Sequence, residues 1–428
     1  MNRRTFISAS TALAALSRTS SLFGQADAPP PASIAALTSM RDQARPITND
    51  ERRARIEKAR RLMAEHKMGA LVLTGGTSLV YFTNIRWSGG ERLFACVIPV
   101  KGEPFFVCPA FEEDRAREQI ARGPFGSGKA DVRTWQEDES PYALVAHGLT
   151  DRGLATASIG IEETAKFVWS EGIASAAAHA RVVSGTPITA GCRMIKDDHE
   201  IELMQLANNA TLKVYHAVYQ SLQPGMTQNQ VSDLISLAYR RVGFRGDASV
   251  QTGQYTALPH GSTTPQTISE GTIIMVDDGC TVEGYQSDIT RTFVLGKASE
   301  KMNRVFGIVR QAQNAALKAA RPGVALESID AAAREVIVNA GYGPGFKYFS
   351  HRLGHGIGMD GHEWPYLVKN NMFGWSRSLK AKPGMCFSNE PGIYIRGEFG
   401  VRLEDDMHIT DEGAKLFTPQ SESLEKPF

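Results

Sequence analysis

No stretch of this chain approaches the roughly 20 consecutive apolar residues that a membrane-spanning helix needs. Charge of one sign is not in excess either. The 47 basic and 46 acidic residues leave a net charge of +1, which argues against nucleic acid as an obligate partner. Cysteine is scarce. Cys96, Cys108, Cys192, Cys280 and Cys386 are odd in number and far apart, and no CxxC pair occurs. A disulfide framework and a zinc–thiolate site are therefore not expected, and buried or free thiols are. There is ample material for a core: 42% of the 428 residues are hydrophobic, and the length allows about two to three domains.

The N-terminus reads as an address. Arg3-Arg4-Thr5-Phe6-Ile7 resembles the twin-arginine signal that exports folded proteins. A modest apolar stretch from Ile7 to Leu16 follows, and small residues around Ala26 and Ala28 offer a cleavage site. Residues 1–28 are thus expected to be a leader, and the mature protein periplasmic or otherwise extracytoplasmic. The leader holds no cysteine, so no lipid anchor is expected. Pro29-Pro30-Pro31 and the polar run to Asn49 read as a linker covering residues 29–49.

From there to about Gly185 the pattern is α/β. Arg52 to Met68 is expected to be helical, with Ile56, Ala59, Leu62 and Met63 on one face. Gly69 to Thr74 reads as a buried strand. Leu93–Val100 and Pro104–Cys108 flank Lys101-Gly102-Glu103 as a hairpin. Further strands are expected at Asp131–Trp135, Ser158–Glu162 and Arg181–Ser184. This first domain, residues 50–185, has no catalytic cluster of its own. Its segment Tyr81 to Gly90 is aromatic and glycine-bearing, suited to a contact between copies in a homo-oligomer.

The second domain, residues 192–428, carries an internal repeat. Gln223-Pro224-Gly225-Met226 between two helical patterns recurs 98 residues later as Arg321-Pro322-Gly323-Val324. Val231 then matches Ile329, Leu234 matches Ala332, and Val242 matches Ala340. The repeat continues into acidic motifs: Asp277-x-Gly279 has the counterpart Glu390-x-Gly392, and Gly284 and Asp288 have Gly397 and Glu404. Ile273–Val276 is an apolar run ending in Asp277, as a buried strand with a ligand at its mouth would be. Val401 to Ile409 alternates like a single strand. Two such halves would place four acids around a pseudo-twofold axis.

Buried carboxylates repel one another and are costly to desolvate, and cations remove both penalties. Four carboxylates carry the charge of two divalent ions, which two bridging acids could hold about 3.5–4 Å apart. An oxygen-rich set with one imidazole favours Mn²⁺-like ions, and Co²⁺ or Zn²⁺ also suit it.

These motifs resemble those of the pita-bread metallopeptidases, the family of aminopeptidase P and prolidase. Asp277 and Asp288 look like its DxG…SDxTRT element, and His351-Arg-Leu-Gly-His355-Gly-Ile-Gly like HGxGHxxG. Asn389-Glu390-Pro-Gly-Ile-Tyr394 and Gly400-Val-Arg402-Leu-Glu404-Asp match the other two elements. The first domain resembles the family's creatinase-like N-terminal domain. The resemblance implies an α/β N-terminal domain followed by an α+β pita-bread catalytic domain with a pseudo-twofold repeat. It implies a dinuclear peptidase acting on small, proline-containing peptides. Asp288 and Glu404 would bridge the ions, Asp277 would complete one site, and His355 with Glu390 the other. Glu390 would also relay a proton. His260 and His362 would face the scissile peptide, and His351, Tyr394 and Arg402 would shape substrate binding.

The segment Trp364–Lys382 departs from the family pattern and is expected to border the substrate channel, which leaves the strictness of the proline preference open. Other readings make different demands. Creatinase-like hydrolases have lost metal ligands, and all five are present here. Methionine aminopeptidases usually lack a domain like Glu51–Gly185. A related metal-dependent lyase uses an acid spacing other than the eleven residues seen here, and chaperones that bind peptides or histones on this fold do so without metals.

Overall fold

The computed structural model describes residues 29–87, 90–126 and 129–428. The expected leader lies outside the described residues. The first domain is built on one mixed sheet. Its strands are β1 (Ala70–Leu73), β2 (Ala95–Pro99), β3 (Phe105–Pro109), β4 (Asp131–Trp135), β5 (Ser158–Ile161) and β6 (Arg181–Ser184), in the order β4-β3-β2-β1-β5-β6. β2 runs antiparallel to β1 and β3, while the β3–β4, β1–β5 and β5–β6 pairs are parallel. Alternation along β1 serves both faces. Leu71 and Leu73 pack with Ile56, Ala59 and Met63 of the helix Asn49–Glu65, and Ala70 and Val72 pack with Val145, Leu149 and Ile173 on the other side.

That helix begins earlier than its hydrophobic spacing predicts, because Thr48 and Glu51 form a capping box. The Glu51 amide donates to Thr48 Oγ1 at 3.2 Å and the Thr48 amide to Glu51 Oε2 at 2.6 Å.

The stretch expected as a linker is instead a strap across the second domain. Residues Ala32–Ala35 form a helical turn. Ile34, Leu37, Met40 and Ile47 are buried in the same core as Leu203, Val214, Val231 and Val242. Ser33 Oγ donates to the Ala217 carbonyl at 2.7 Å, and the Met40 amide to Val242 O at 2.8 Å. The segment expected at an oligomer contact is also placed otherwise. Tyr81 to Thr83 end the helix Thr77–Thr83, and Trp87 is only 8% exposed. The Trp87 ring stacks on Phe94 at 4.2 Å between centroids. It is core of the first domain. Ser88 and Gly89 lie outside the described residues.

The second domain repeats one plan. The helices Asp198–Tyr219 and Gln228–Val242 pack together, as do Glu300–Ala319 and Leu326–Asn339. Both helix–helix turns need a left-handed glycine, Gly225 at φ 94° and Gly323 at φ 83°. Beneath them lie β7 (Arg245–Gly246), β8 (Ser249–Thr252), β9 (Ile273–Asp277), β10 (Cys280–Val282), β11 (Tyr285–Gln286) and β12 (Arg291–Val294) from the first half. The second half supplies β13 (Gly354–Gly356), β14 (Glu363–Leu367), β15 (Cys386–Asn389), β16 (Gly392–Ile395), β17 (Phe399–Arg402), β18 (Asp405–Ile409) and β19 (Ala414–Leu416). The main sheets run β12-β9-β8 and β14-β13-β15-β18-β19.

The symmetry is visible in the acids. Asp277 ends β9, and Asp288 precedes its partner β12; Glu390 follows β15, and Glu404 precedes its partner β18. Residues 401–409, expected as one strand, are split between the β16–β17 hairpin and β18, and Glu404 stands at the break. Breaking the strand there frees a carboxylate to turn inward. All five cysteines are buried and unpaired.

If the strap completes the catalytic core, Ile34→Ala should cost about 2–5 kcal/mol, the usual penalty for emptying a buried Ile site. Chemical denaturation of the purified protein reads this, and an unchanged midpoint would show that the strap merely rests on the surface.

Candidate metal centre and active site

Asp277, Asp288, His355, Glu390 and Glu404 converge on one cavity of about 700 Å³. Close approach of the backbone makes this possible. A Cβ at Gly279 would run into the Ser287 carbonyl, and one at Gly354 into the Ser388 carbonyl, so glycine is required beside Asp277 and His355. Ligand atoms of Asp277, Asp288 and Glu404 lie within 4.8 Å of one another, as do those of His355, Glu390 and Glu404. Glu404 is common to the two groups. Asp288 joins a third, with His355 and His362.

His355 is completely enclosed. Burial and the neighbouring His362 ring hold its imidazole neutral, well below the usual histidine range. Its Nδ1 lies 3.2 Å from the Gly356 carbonyl. That contact suits an Nδ1–H and leaves Nε2 with a bare lone pair, 3.4 Å from Glu390 Oε1 and 3.6 Å from Asp288 Oδ2. A lone pair facing carboxylates is repulsive unless a cation lies between them. The acids carry the same message. Burial, and then the charge of Asp277 on Asp288 and of Asp288 on Glu404, push both carboxyls well above the usual carboxylate range. Glu390 is pushed up to about 7, mainly by burial. The residues therefore fit divalent cations, which replace protons as the neutralising charge.

Several supports were not singled out from sequence. Thr290 Oγ1 touches Asp277 Oδ1 and lies 2.5 Å from Glu404 Oε2. Ser388 Oγ accepts from the His355 amide at 3.0 Å and donates to Glu390 Oε1 at 3.3 Å. Asp406 accepts from the Asp288 amide at 2.9 Å and from Asn208 at 3.0 Å. The fully buried Arg291 pairs with Asp405 at 2.7 Å and donates to the Glu404 carbonyl at 2.8 Å, fixing the strand break. Thr290 and Arg291 lie inside the SDITRT element, so their motif membership was a usable signal. Asn208 carried none.

His351, Tyr394 and Arg402 form a chain behind the acids. His351 Nε2 lies 2.7 Å from the Tyr394 hydroxyl, and its Nδ1 lies 2.7 Å from the Arg352 carbonyl. Arg402 donates to Tyr394 Oη at 3.2 Å, Thr290 Oγ1 at 2.9 Å and the Pro259 carbonyl at 2.9 Å, and it pairs with Asp277. His351 and Arg402 line the cavity and Tyr394 does not. Their polar atoms are engaged by the protein itself.

His260 and His362 are exposed on the cavity wall. His362 lies against His355, 3.8 Å between ring centroids. Beyond it sits Arg352, whose Nη2 is 3.1 Å from His362 Nδ1 and whose guanidinium covers the Tyr366 ring at 4.4 Å. Among the described residues Arg352 has no acidic partner within ion-pairing distance. Phe346, Val368 and Met372 add apolar surface to the same end. Two of these belong to the segment Trp364–Lys382, which does border the cavity.

Comparison with known proteins identifies the family. The model of metallopeptidase family M24 matches residues 202–411, and that of the creatinase/prolidase N-terminal domain matches residues 55–195. A probable dipeptidase PepE of Mycobacterium tuberculosis is 36% identical over 84% of this chain and 92% of its own length. A Xaa-Pro dipeptidase of Lactobacillus helveticus is 31% identical, covering 86% and 98% respectively. This chain belongs to metallopeptidase family M24. Among solved structures, dipeptidase PepE from Mycobacterium ulcerans superposes with a TM-score of 0.81 at 32% identity, covering 89% of this chain and 99% of that one. Prolidase from Thermococcus sibiricus gives 0.74 at 28%, covering 87% and 97%. The M24 assignment makes this chain a metallopeptidase, with the pita-bread fold on which such enzymes are built.

A pH dependence follows from the acid cluster. A carboxyl whose pKa is raised on folding stabilises the fold below its unfolded value and loses that contribution as pH rises through the folded one. Metal-free enzyme should therefore melt at progressively lower temperature as pH rises from about 4.5 to 7, the window set by Glu390. Metal-loaded enzyme should not show this decline, and loading should release protons in calorimetry run in buffers of different ionisation enthalpy. Metal uptake without proton release at pH 6 would contradict it.

Proposed function

We propose that this enzyme is a dinuclear dipeptidase that cleaves Xaa-Pro and related dipeptides. The observation that carries the reading is the juxtaposition, in one cavity, of the five-ligand cluster with a guanidinium that has no ion-pair partner among the described residues, and an apolar wall. Relatives named Xaa-Pro dipeptidase, such as that of Lactobacillus helveticus, support it. Two divalent ions, Mn²⁺ by the oxygen-rich donor set, would supply Lewis acidity, polarising a carbonyl and acidifying a water.

The chain's own residues do the rest. Asp277, Asp288, His355, Glu390 and Glu404 would hold the two ions, with Asp288 and Glu404 shared between them. Glu390, with a carboxyl at about 7 before metal binds, is the group to take and return a proton at its Oε atoms. His260 and His362 direct ring nitrogens toward the oxygen of the scissile carbonyl and stabilise its developing charge. Phe346, Val368 and Met372 accept a proline ring, whose missing N–H asks nothing of the wall. Arg352 receives the free carboxylate of the second residue, which selects dipeptides over longer chains.

The test is a panel of Xaa-Pro dipeptides, Xaa-Pro tripeptides and proline-free dipeptides. Dipeptides should be preferred, and Arg352→Gln should raise their KM about 10-fold or more with little change in kcat. His362→Ala should instead lower kcat by about 100-fold. Glu404→Ala should lose both metals in elemental analysis. Equal cleavage of dipeptides and tripeptides, unaltered by Arg352→Gln, would reverse the dipeptidase reading.

The mature enzyme is proposed to be exported through Arg3 and Arg4, and to act as a homo-oligomer. The exposed Phe111, Phe167 and Val168 of the first domain support a contact between copies. Arg3→Lys with Arg4→Lys should leave the protein in the cytoplasm on fractionation. Unchanged export, or a monomer in light scattering, would remove the respective claim.

A further inference from the structure

Away from the catalytic cavity, the two domains meet around a small enclosed space of about 140 Å³. Arg52 and Arg55 of the helix Asn49–Glu65 line its first-domain wall, together with Arg86. Tyr285, Met359 and the exposed Glu283 form the opposite wall, so one carboxylate faces the arginines from the solvent side. Arg52 and Arg55 are only 8% and 5% exposed. Arg55 is compensated. It pairs with Glu200 at 3.3 Å and donates to the Tyr285 hydroxyl at 2.8 Å.

Arg52 has no ion-pair partner among the described residues. It donates to the Ile47 carbonyl, to Thr48 O at 3.3 Å and to Asn84 Oδ1 at 3.0 Å, all neutral acceptors. Glu51, the adjacent acid, is engaged with Thr48 and with His199 at 2.6 Å. The Nε atoms of both Arg52 and Arg55 are buried without a hydrogen-bond partner. A buried guanidinium without an opposite charge is costly. Burial and the neighbouring Arg55 accordingly bring Arg52 down to about 10.

We propose that this seam is an anion site, in which a small inorganic or carboxylate anion sits between Arg52, Arg55 and Arg86 and ties the first domain to the catalytic half. The far wall connects directly to the catalytic residues. Tyr285 opens β11, where the Gln286 amide donates to Gly358 O at 2.8 Å and its side chain to Met359 O at 3.2 Å. Asp288 follows on the first of these segments and His362 on the second, so an occupied seam steadies both.

The test is thermal unfolding of the metal-loaded mature enzyme as sodium chloride, or separately sodium acetate, replaces sodium MES at constant ionic strength. MES is a ring-bearing sulfonate too bulky for this space. The wild type should show a saturable rise in Tm of about 2–4 °C. Arg86→Ala, at the exposed side, and Arg52→Gln should abolish it. Should Arg52→Gln fail to fold, Arg86→Ala alone decides. Arg352→Gln, which alters the catalytic cavity, should keep the full response. Absence of a saturable rise with either anion overturns the proposal. So does its persistence in Arg86→Ala or its loss in Arg352→Gln.

Discussion

Repulsion among Asp277, Asp288, Glu390 and Glu404 is the constraint that the second domain is organised to contain. Carboxylates crowded into one cavity repel one another unless other charge compensates them. The protein supplies part of that charge through Arg402, beside Asp277, and shares the single hydroxyl of Thr290 between Asp277 and Glu404. One hydroxyl proton cannot serve two carboxylates at once. The remainder must come from protons or metal, which is why the same cluster both burdens the metal-free fold and draws metal to it.

The pseudo-symmetry supplies the acids in pairs from equivalent places, one at the end of a strand and one at the entry to its return strand. Departures from symmetry then differentiate the two ends. His355 comes from β13, whose counterpart by sheet order, β8, is Ser249–Thr252 and carries neither a histidine nor a carboxylate. Arg352, two residues before that strand, brings positive charge to one side of the cavity only. An otherwise even-handed cluster thereby acquires a direction along which a substrate can be told apart end from end.

What was legible in the sequence follows from how local each signal is. Asp277 and Glu390 stand out because an apolar run and a glycine frame each within a few residues. The paired helices were legible because Gly225 and Gly323 mark turns that only glycine makes cheaply. The strap was missed because Ile34, Leu37 and Met40 lie in a proline-bounded polar stretch too short to show a full helical period. Their partners on the helix Asp198–Tyr219 lie far away in the chain. Trp87 reads as an exposed aromatic until Phe94 covers it. Arg352 stands where the HGxGHxxG element has glycine, a departure visible in the sequence; that no acid lies within ion-pairing distance of it only three dimensions reveal. The inward-facing residues His351 and Tyr394 were visible as a pair, but not that they turn toward each other.

The strap has a consequence for synthesis. Ile34, near the start of the described chain, and Phe417, near its end, belong to one core, with Phe428 packed against it. On the ribosome the first domain can complete its sheet while later residues are still being added. The catalytic half cannot. Its core waits until both Ile34 and Phe417 have been made, and Glu404 follows the other four metal-binding candidates in the order of synthesis. Before then the emerging chain carries an unclosed hydrophobic face and an incomplete set of acids, so the capacity to hold metal arrives late in synthesis.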